Sequence, residues 1–122
     1  MIRRHHFLRG LAAALALGAA MPAALAQSSK PIRLVVPFPA GGATDLFART
    51  LSQKMGERLG TSIVIDNKPG AGGSLGSDMA AKAAADGQTL LFTTTSTHSI
   101  GPAIGAKLPY DTVRDFTPIA HV

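Results

Sequence analysis

The 122-residue chain has no cysteine, and its 12 Lys and Arg against 7 Asp and Glu give a formal charge of +5. Without cysteine a disulfide scaffold, a thiolate metal site and a cysteine nucleophile are excluded, and an apolar share of 46% excludes disorder by composition. The length suits about one domain, and the pI near 10.3 raises a nucleic-acid binder, which the placement of the charges argues against.

Arg3, Arg4 and Arg9 form a positive start, and Leu11 to Ala26 is an apolar stretch ending in Ala24-Leu25-Ala26. That is the pattern of a secretory signal peptide cut after Ala26. The stretch has 16 residues, contains Pro22 and falls short of the roughly 20 that span a bilayer. Arg3-Arg4 ahead of Phe7-Leu8 hints at twin-arginine export, but His5 and His6 put two residues where that motif usually has one, so the Sec route is expected. Loss of the leader leaves 9 basic residues against 7 acidic, a net charge of +2. Those basic residues are scattered from Lys30 to Arg114, without the cluster that nucleic acid requires. A cysteine-free exported chain fits a bacterial periplasm.

After the leader, Ile32 to Val36 is a β-branched run stopped by Pro37, a strand signal. Phe38-Pro39-Ala40-Gly41-Gly42 reads as a loop. Thr44 is expected to cap a helix that runs to about Leu59, with Gly60 as its stop. Phe47, Leu51, Met55 and Leu59 make one apolar stripe on it, expected to face the core. Ser62 to Ile65 is a second strand, and Asp66 to Gly73 a Gly-rich loop. Ser74 is expected to cap a second helix with Leu75, Met79 and Ala83 on one face, ended by Asp86-Gly87. Gln88 to Thr93 is a third strand, apolar enough to be buried on both faces. Thr94 to Ala106 reads as loop with a short helix, Pro109 to Asp115 as turn, and Thr117 to Val122 as the start of a fourth strand. The chain stops inside that last apolar run, which predicts an N-terminal piece of a longer protein with a small core.

Strand, helix, strand, helix, strand predicts an α/β fold with a parallel βαβαβ sheet. Its strand-to-helix loops emerge together at the carboxyl ends of the strands, where ligands bind. Those loops are Phe38 to Asp45, Asn67 to Ser74 and Thr94 to Ser99. The first two enter helices whose free N–H groups suit an anion. The dipole alone contributes about 0.3–1 kcal/mol, and each N–H bond to a charged acceptor roughly 1.5–3 kcal/mol, so donor count sets affinity. Ordinary turn and cap chemistry accounts for the same Gly, Pro, Thr44 and Asp45. His98 stands alone in sequence and reads as a polar contact or a solvated side chain, not a metal ligand.

Gly72-Gly73-Ser74-Leu75-Gly76 matches the G-x-S-x-G nucleophile elbow. The elbow needs its serine on a sharp turn straight after a strand, and Asp66 to Gly73 intervene here. A secreted α/β hydrolase using Ser74 therefore stands as the alternative enzyme reading. Phosphate-loop patterns fail because Leu75 sits where a glycine is required and no lysine follows.

Lys30 to Phe38 followed by Gly41-Gly42-Ala43-Thr44-Asp45 resembles the opening of the periplasmic solute receptors of tripartite tricarboxylate transporters, the Bug-type receptors. Asn67 to Gly73, Ala84 to Leu91, Leu108 to Asp111 and Asp115-Phe116 match in the same order. The resemblance implies a type II periplasmic binding protein, of which residues 27–122 are the N-terminal portion of lobe 1. It implies capture of a small di- or tricarboxylate between two lobes that close on a hinge, with delivery to membrane permease subunits. It implies no catalysis, no cofactor, no metal and no nucleic acid, and a monomer at full length. Carried over, the solute contacts are Phe38, Gly41, Gly42, Thr44 and Asp45, then Ala71, Gly72, Gly73 and Ser74, and on the third loop Thr95, Ser96, Thr97 and His98. Lys68 stands where relatives carry Arg, Ala40 where they carry Pro, and Gly101-Pro102 replaces an Asn-Pro. A receptor fragment without function is the remaining alternative.

Overall fold

The computed structural model describes residues 30–122, so the expected leader and its expected cleavage after Ala26 lie outside the described residues. Strand β1, Ile32–Val36, lies at the centre of a three-stranded sheet in the order β2-β1-β3. Strand β2 is Ile63–Asn67 and β3 is Thr89–Leu91; both run parallel to β1. Helix α1, Ala43–Leu59, connects β1 to β2, and helix α2, Ser74–Ala81, lies between β2 and β3. The expected parallel βαβαβ arrangement is therefore present.

Register puts alternate residues on opposite faces of the sheet. On one face Leu34 and Val36 pack against Ala48 of α1, with Phe38, Ile63, Ile65, Leu90 and Phe92 around them. On the other, Arg33 holds Asp66 of β2 by two hydrogen bonds, and Lys68 adds an ion pair to the same carboxylate at 3.2 Å. These side chains are partly exposed, so screening keeps each pair's contribution small, on the order of 0–1 kcal/mol. Gly76 of α2 sits against Pro37: an added Cβ there would lie 2.6 Å from the Lys68 carbonyl and 2.8 Å from Pro37 Cβ. The helix approaches the first loop that closely because this position has no side chain.

Several boundaries differ from expectation. Gly42, not Thr44, is the N-cap of α1, since Asp45 in the first turn reaches back to the Gly41 N–H. Gly73, not Ser74, is the N-cap of α2, after a single 3₁₀ turn at Ala71–Gly73. Gly60 adopts the left-handed conformation expected of a helix stop, φ 64°. The third strand is shorter than Gln88 to Thr93 and half-buried, although its ladder continues through Arg33 N–H to Gln88 O and Phe92 N–H to Val35 O. The residues of α1 that reach zero or near-zero exposure are Asp45, Ala48 and Ser52, small or polar groups that let the helix lie close to the sheet. The apolar stripe flanks this contact: Phe47 and Leu59 are exposed, and Leu75 and Met79 of α2 likewise. Phe47 instead stacks on Phe92, ring centroids 6.0 Å apart. Thr117 to Val122 forms no strand, because no ladder partner lies beside it among the described residues. No helix of the described residues is long and apolar enough to cross a membrane.

Candidate functional site

Three loops leave the carboxyl ends of the parallel strands. The first, Pro37 to Gly42, is anchored at both ends by one group of side chains. Asp45 is buried, 1% exposed, and its Oδ2 accepts from the Gly41 N–H at 2.8 Å and from Arg49 Nε at 2.9 Å. Its Oδ1 accepts from Asn67 Nδ2 at 2.9 Å. The same Asn67 nitrogen donates to the Phe38 carbonyl at 3.1 Å, and Asn67 Oδ1 accepts from Arg49 Nη2 at 3.3 Å. Hydrogen bonds from Arg49, then Gly41 and Asn67, hold the Asp45 carboxyl well below the usual range, at about 2. Gly41 takes φ 82°, which a side chain would disfavour. With Gly42 as cap and Leu46 N–H bonded to Gly42 O, the amides of Ala43, Thr44 and Asp45 have no intrahelical acceptor.

The second loop carries four successive residues at positive φ: Gly70 at 141°, Ala71 at 48°, Gly72 at 66° and Gly73 at 97°. A non-glycine there is strained by about 1–2 kcal/mol, so Ala71 is the costly member. Ser74 Oγ donates to the Ala71 carbonyl at 2.8 Å, and the buried Ser77 Oγ to the Gly73 carbonyl at 3.0 Å. Both hydroxyls brace the turn from below. The glycines of the G-x-S-x-G match thus have conformational and packing reasons, and Ser74 follows a 3₁₀ turn, not a strand end.

The third loop begins at Phe92 and turns through a wide helical turn, Ser96–Ile100. Thr97 is its buried member, with Oγ1 bonded to Thr93 Oγ1, to the Thr94 carbonyl and to His98 Nδ1 at 3.0 Å. Ser96 Oγ meets Thr94 Oγ1 at 2.6 Å, and Thr95 is exposed. The Tyr110 hydroxyl donates to the Thr97 carbonyl at 3.2 Å. His98 stacks on Tyr110 and meets Phe116 edge-on, centroids 5.6 and 4.8 Å away, and burial pushes its pKa down.

The three loops meet. A Cβ on Gly73 would lie 2.7 Å from Thr97 Cγ2 and 3.4 Å from Phe38 Cζ, one contact from each of the other loops. Of the predicted residues, Phe38, Gly73 and Thr97 are therefore brought together. Gly41, Gly42, Ala71, Gly72, Thr95 and Ser96 are exposed, Thr44, Ser74 and His98 half-buried, and Asp45 is enclosed by its partners. The cations in these networks are committed: Arg49 to Asp45 and Lys68 to Asp66. What the loops present is neutral, namely backbone amides and hydroxyls. An open recess of about 480 Å³ between α1 and β2, lined by Ser52, Gly56 and Ile63 among others, includes none of the predicted residues. Among the described residues no group of three or more His, Asp or Glu is placed to hold a metal ion.

Sequence reasoning missed Asn67 as the joint between the first loop and β2, and Tyr110 and Phe116 as the support of the third loop. Arg49 was legible as an i, i+4 partner of Asp45; the reach of Asn67 depends on strand register and was not.

Residues 47–122 match the family described as Tripartite tricarboxylate transporter family receptor. The chain is 42% identical over 119 residues to the UPF0065 protein in the tcbD-tcbE intergenic region of Pseudomonas sp. strain P51, covering 97% of this chain and 35% of that protein. It is 41% identical over 95 residues to Protein BugT of Bordetella pertussis, covering 77% and 29%. Among solved structures, MatC from Rhodopseudomonas palustris with bound malate is similar at a TM-score of 0.69 and 43% identity, over 72% of this chain and 30% of that one. The chain spans about a third of the length of the curated relatives it matches.

Proposed function

We propose, for a chain that belongs to the tripartite tricarboxylate transporter receptor family, that it contributes one wall of a cleft that holds a small organic carboxylate. The observation that carries this reading is the meeting of Phe38, Gly73 and Thr97 at the carboxyl rim of the sheet. The strand order β2-β1-β3 supports it, because the chain reverses its direction of winding at β1. In open α/β sheets the crevice lies at that reversal. The amides of the first turn of α1 and the turn ahead of α2 supply neutral donors for one carboxylate group, and donors to a charged acceptor contribute roughly 1.5–3 kcal/mol each. Gly41, Gly42, Thr44, Ala71, Gly72, Gly73 and Ser74 are the proposed contacts, with Phe38 as the apolar side of the recess. Thr95, Ser96, Thr97 and His98 form its third side, and Asp45 acts through the loop it anchors.

In the same reading, residues 1–26 are a leader removed on export, residues 27–122 begin the first lobe of a two-lobed periplasmic receptor, and permease subunits receive the loaded protein. The malate held by MatC supports a dicarboxylate as the solute class. No bond is broken in capture, so no catalytic group is needed. Thermal-shift screening of the full-length secreted protein against malate, succinate and citrate tests this reading. Ligand at a hundredfold excess over Kd stabilises the folded state by about 2.7 kcal/mol. No shift with any acid of the panel overturns it.

A further inference from the structure

Resting on that reading of the rim, we infer that Asn67 is a positioning residue that sets the spacing of the first and second binding loops without contacting the solute. The two hydrogens of its Nδ2 go to two different elements, the Phe38 carbonyl of the first loop and Asp45 Oδ1 of α1. Its Oδ1 takes Arg49 Nη2. The first loop is thereby held at its start through Phe38 O and at its end through the Gly41 N–H on Asp45, both through one amide–carboxylate pair. Asn67 is also the last residue of β2, opposite Val36, and the Lys68 N–H bonds to Val36 O, so the second loop starts directly from this anchored point. The Phe38 ring lies against the Gly73 position, so a displacement of the Phe38 end is felt at the turn that precedes α2.

A strand-ending asparagine that merely forms a local turn bonds to its own neighbours. Every side-chain partner of Asn67 named above comes from another part of the chain. The chemistry required is a double donor: both Phe38 O and Asp45 Oδ1 are acceptors, and Asp45 is ionised. An isosteric carboxylate at position 67 would set an acceptor against both.

The test is Asn67→Asp in the full-length protein, with malate, succinate and citrate as probes and amide hydrogen exchange as a second readout. The expected result is an affinity weaker by about 10- to 100-fold for whichever acid binds, the equivalent of one hydrogen bond to a charged group. The Gly41 amide should exchange about tenfold faster or more, while Leu34 and Val36 in β1 keep their rates. A residue that served stability alone would speed all of these amides together. Affinity within twofold of the parent, or a Gly41 rate that moves only in step with β1, overturns the inference. If the parent protein binds none of the three acids, the function reading fails, and Gly41 exchange still judges Asn67. If Asn67→Asp does not fold, the parent's Gly41 amide decides: protection of about 100-fold is expected, and exchange at the rate of an open amide refutes the anchor.

Discussion

Replacing Gly76 with alanine separates packing from propensity. In an ordinary helix interior the change stabilises by about 1 kcal/mol. Here the new Cβ would stand 2.6 Å from the Lys68 carbonyl oxygen, 2.8 Å from Pro37 Cβ and 2.9 Å from Pro37 Cα, closer than the 3.0 Å that real Cβ atoms respect. Neither neighbour is a flexible side-chain end: the Lys68 backbone is bonded to Val36, and Pro37 is a fully buried ring. Helix α2 must therefore back away from the first loop. Overpacking costs about 1–3 kcal/mol, and three hard contacts place this case near the upper end. Subtracting the propensity gain leaves a net loss of about 2 kcal/mol. Urea unfolding followed by far-UV circular dichroism reads this directly, as a midpoint lowered by about 1 M for an m-value near 2 kcal/mol/M. Because α2 follows directly from Gly73, carboxylate affinity should fall with it. A midpoint equal to or above that of the parent refutes the packing argument.

Asp45→Asn should lower the melting temperature at neutral pH. The Asp45 carboxyl titrates at about 2 in the fold against 3.8 ordinarily, so its stabilisation is whole above pH 4 and fades as pH falls toward 2. The gap between parent and variant should close over that window, and a gap as wide at pH 2 as at pH 7 contradicts the assignment. Tyr110→Phe removes the donor to the Thr97 carbonyl and should cost about 1 kcal/mol in urea unfolding; no change would show that the third loop is held by stacking alone. Gly73→Ala forces a side chain to φ 97° and into Thr97 Cγ2, so affinity should drop by about tenfold or more. Adding Thr97→Ser, which deletes that methyl, should return part of the loss; additive losses in the double variant would sink the idea that the two loops touch.

The order of strands and helices was legible because it is written in short-range signals: β-branched runs stopped by Pro37 or Gly-rich loops, and a stop at Gly60. Which face of α1 is buried was not. Propensity favoured the line through Phe47 and Leu59, yet the sheet takes Ala48 and Ser52, since close approach rewards small residues more than large apolar ones. Cap positions slipped by one or two residues for a similar reason. Thr44 and Ser74 are good caps in isolation, but Gly42 and Gly73 meet the backbone angles that the loops impose. Of the rim, the loops were readable from Gly and Pro, whereas the contact of Gly73 with Thr97 arises only when β1 lies between β2 and β3.

A central first strand also governs when the rim comes into being. Both of its neighbours arrive through crossovers, and parallel pairing of distant segments is slow because chain closure precedes any reward. Phe38, Gly73 and Thr97 belong to three segments separated by whole helices, so no early local intermediate can hold them at their native spacing. The recess therefore needs both crossovers complete, and a chain that has paired only one neighbour of β1 has no rim to offer.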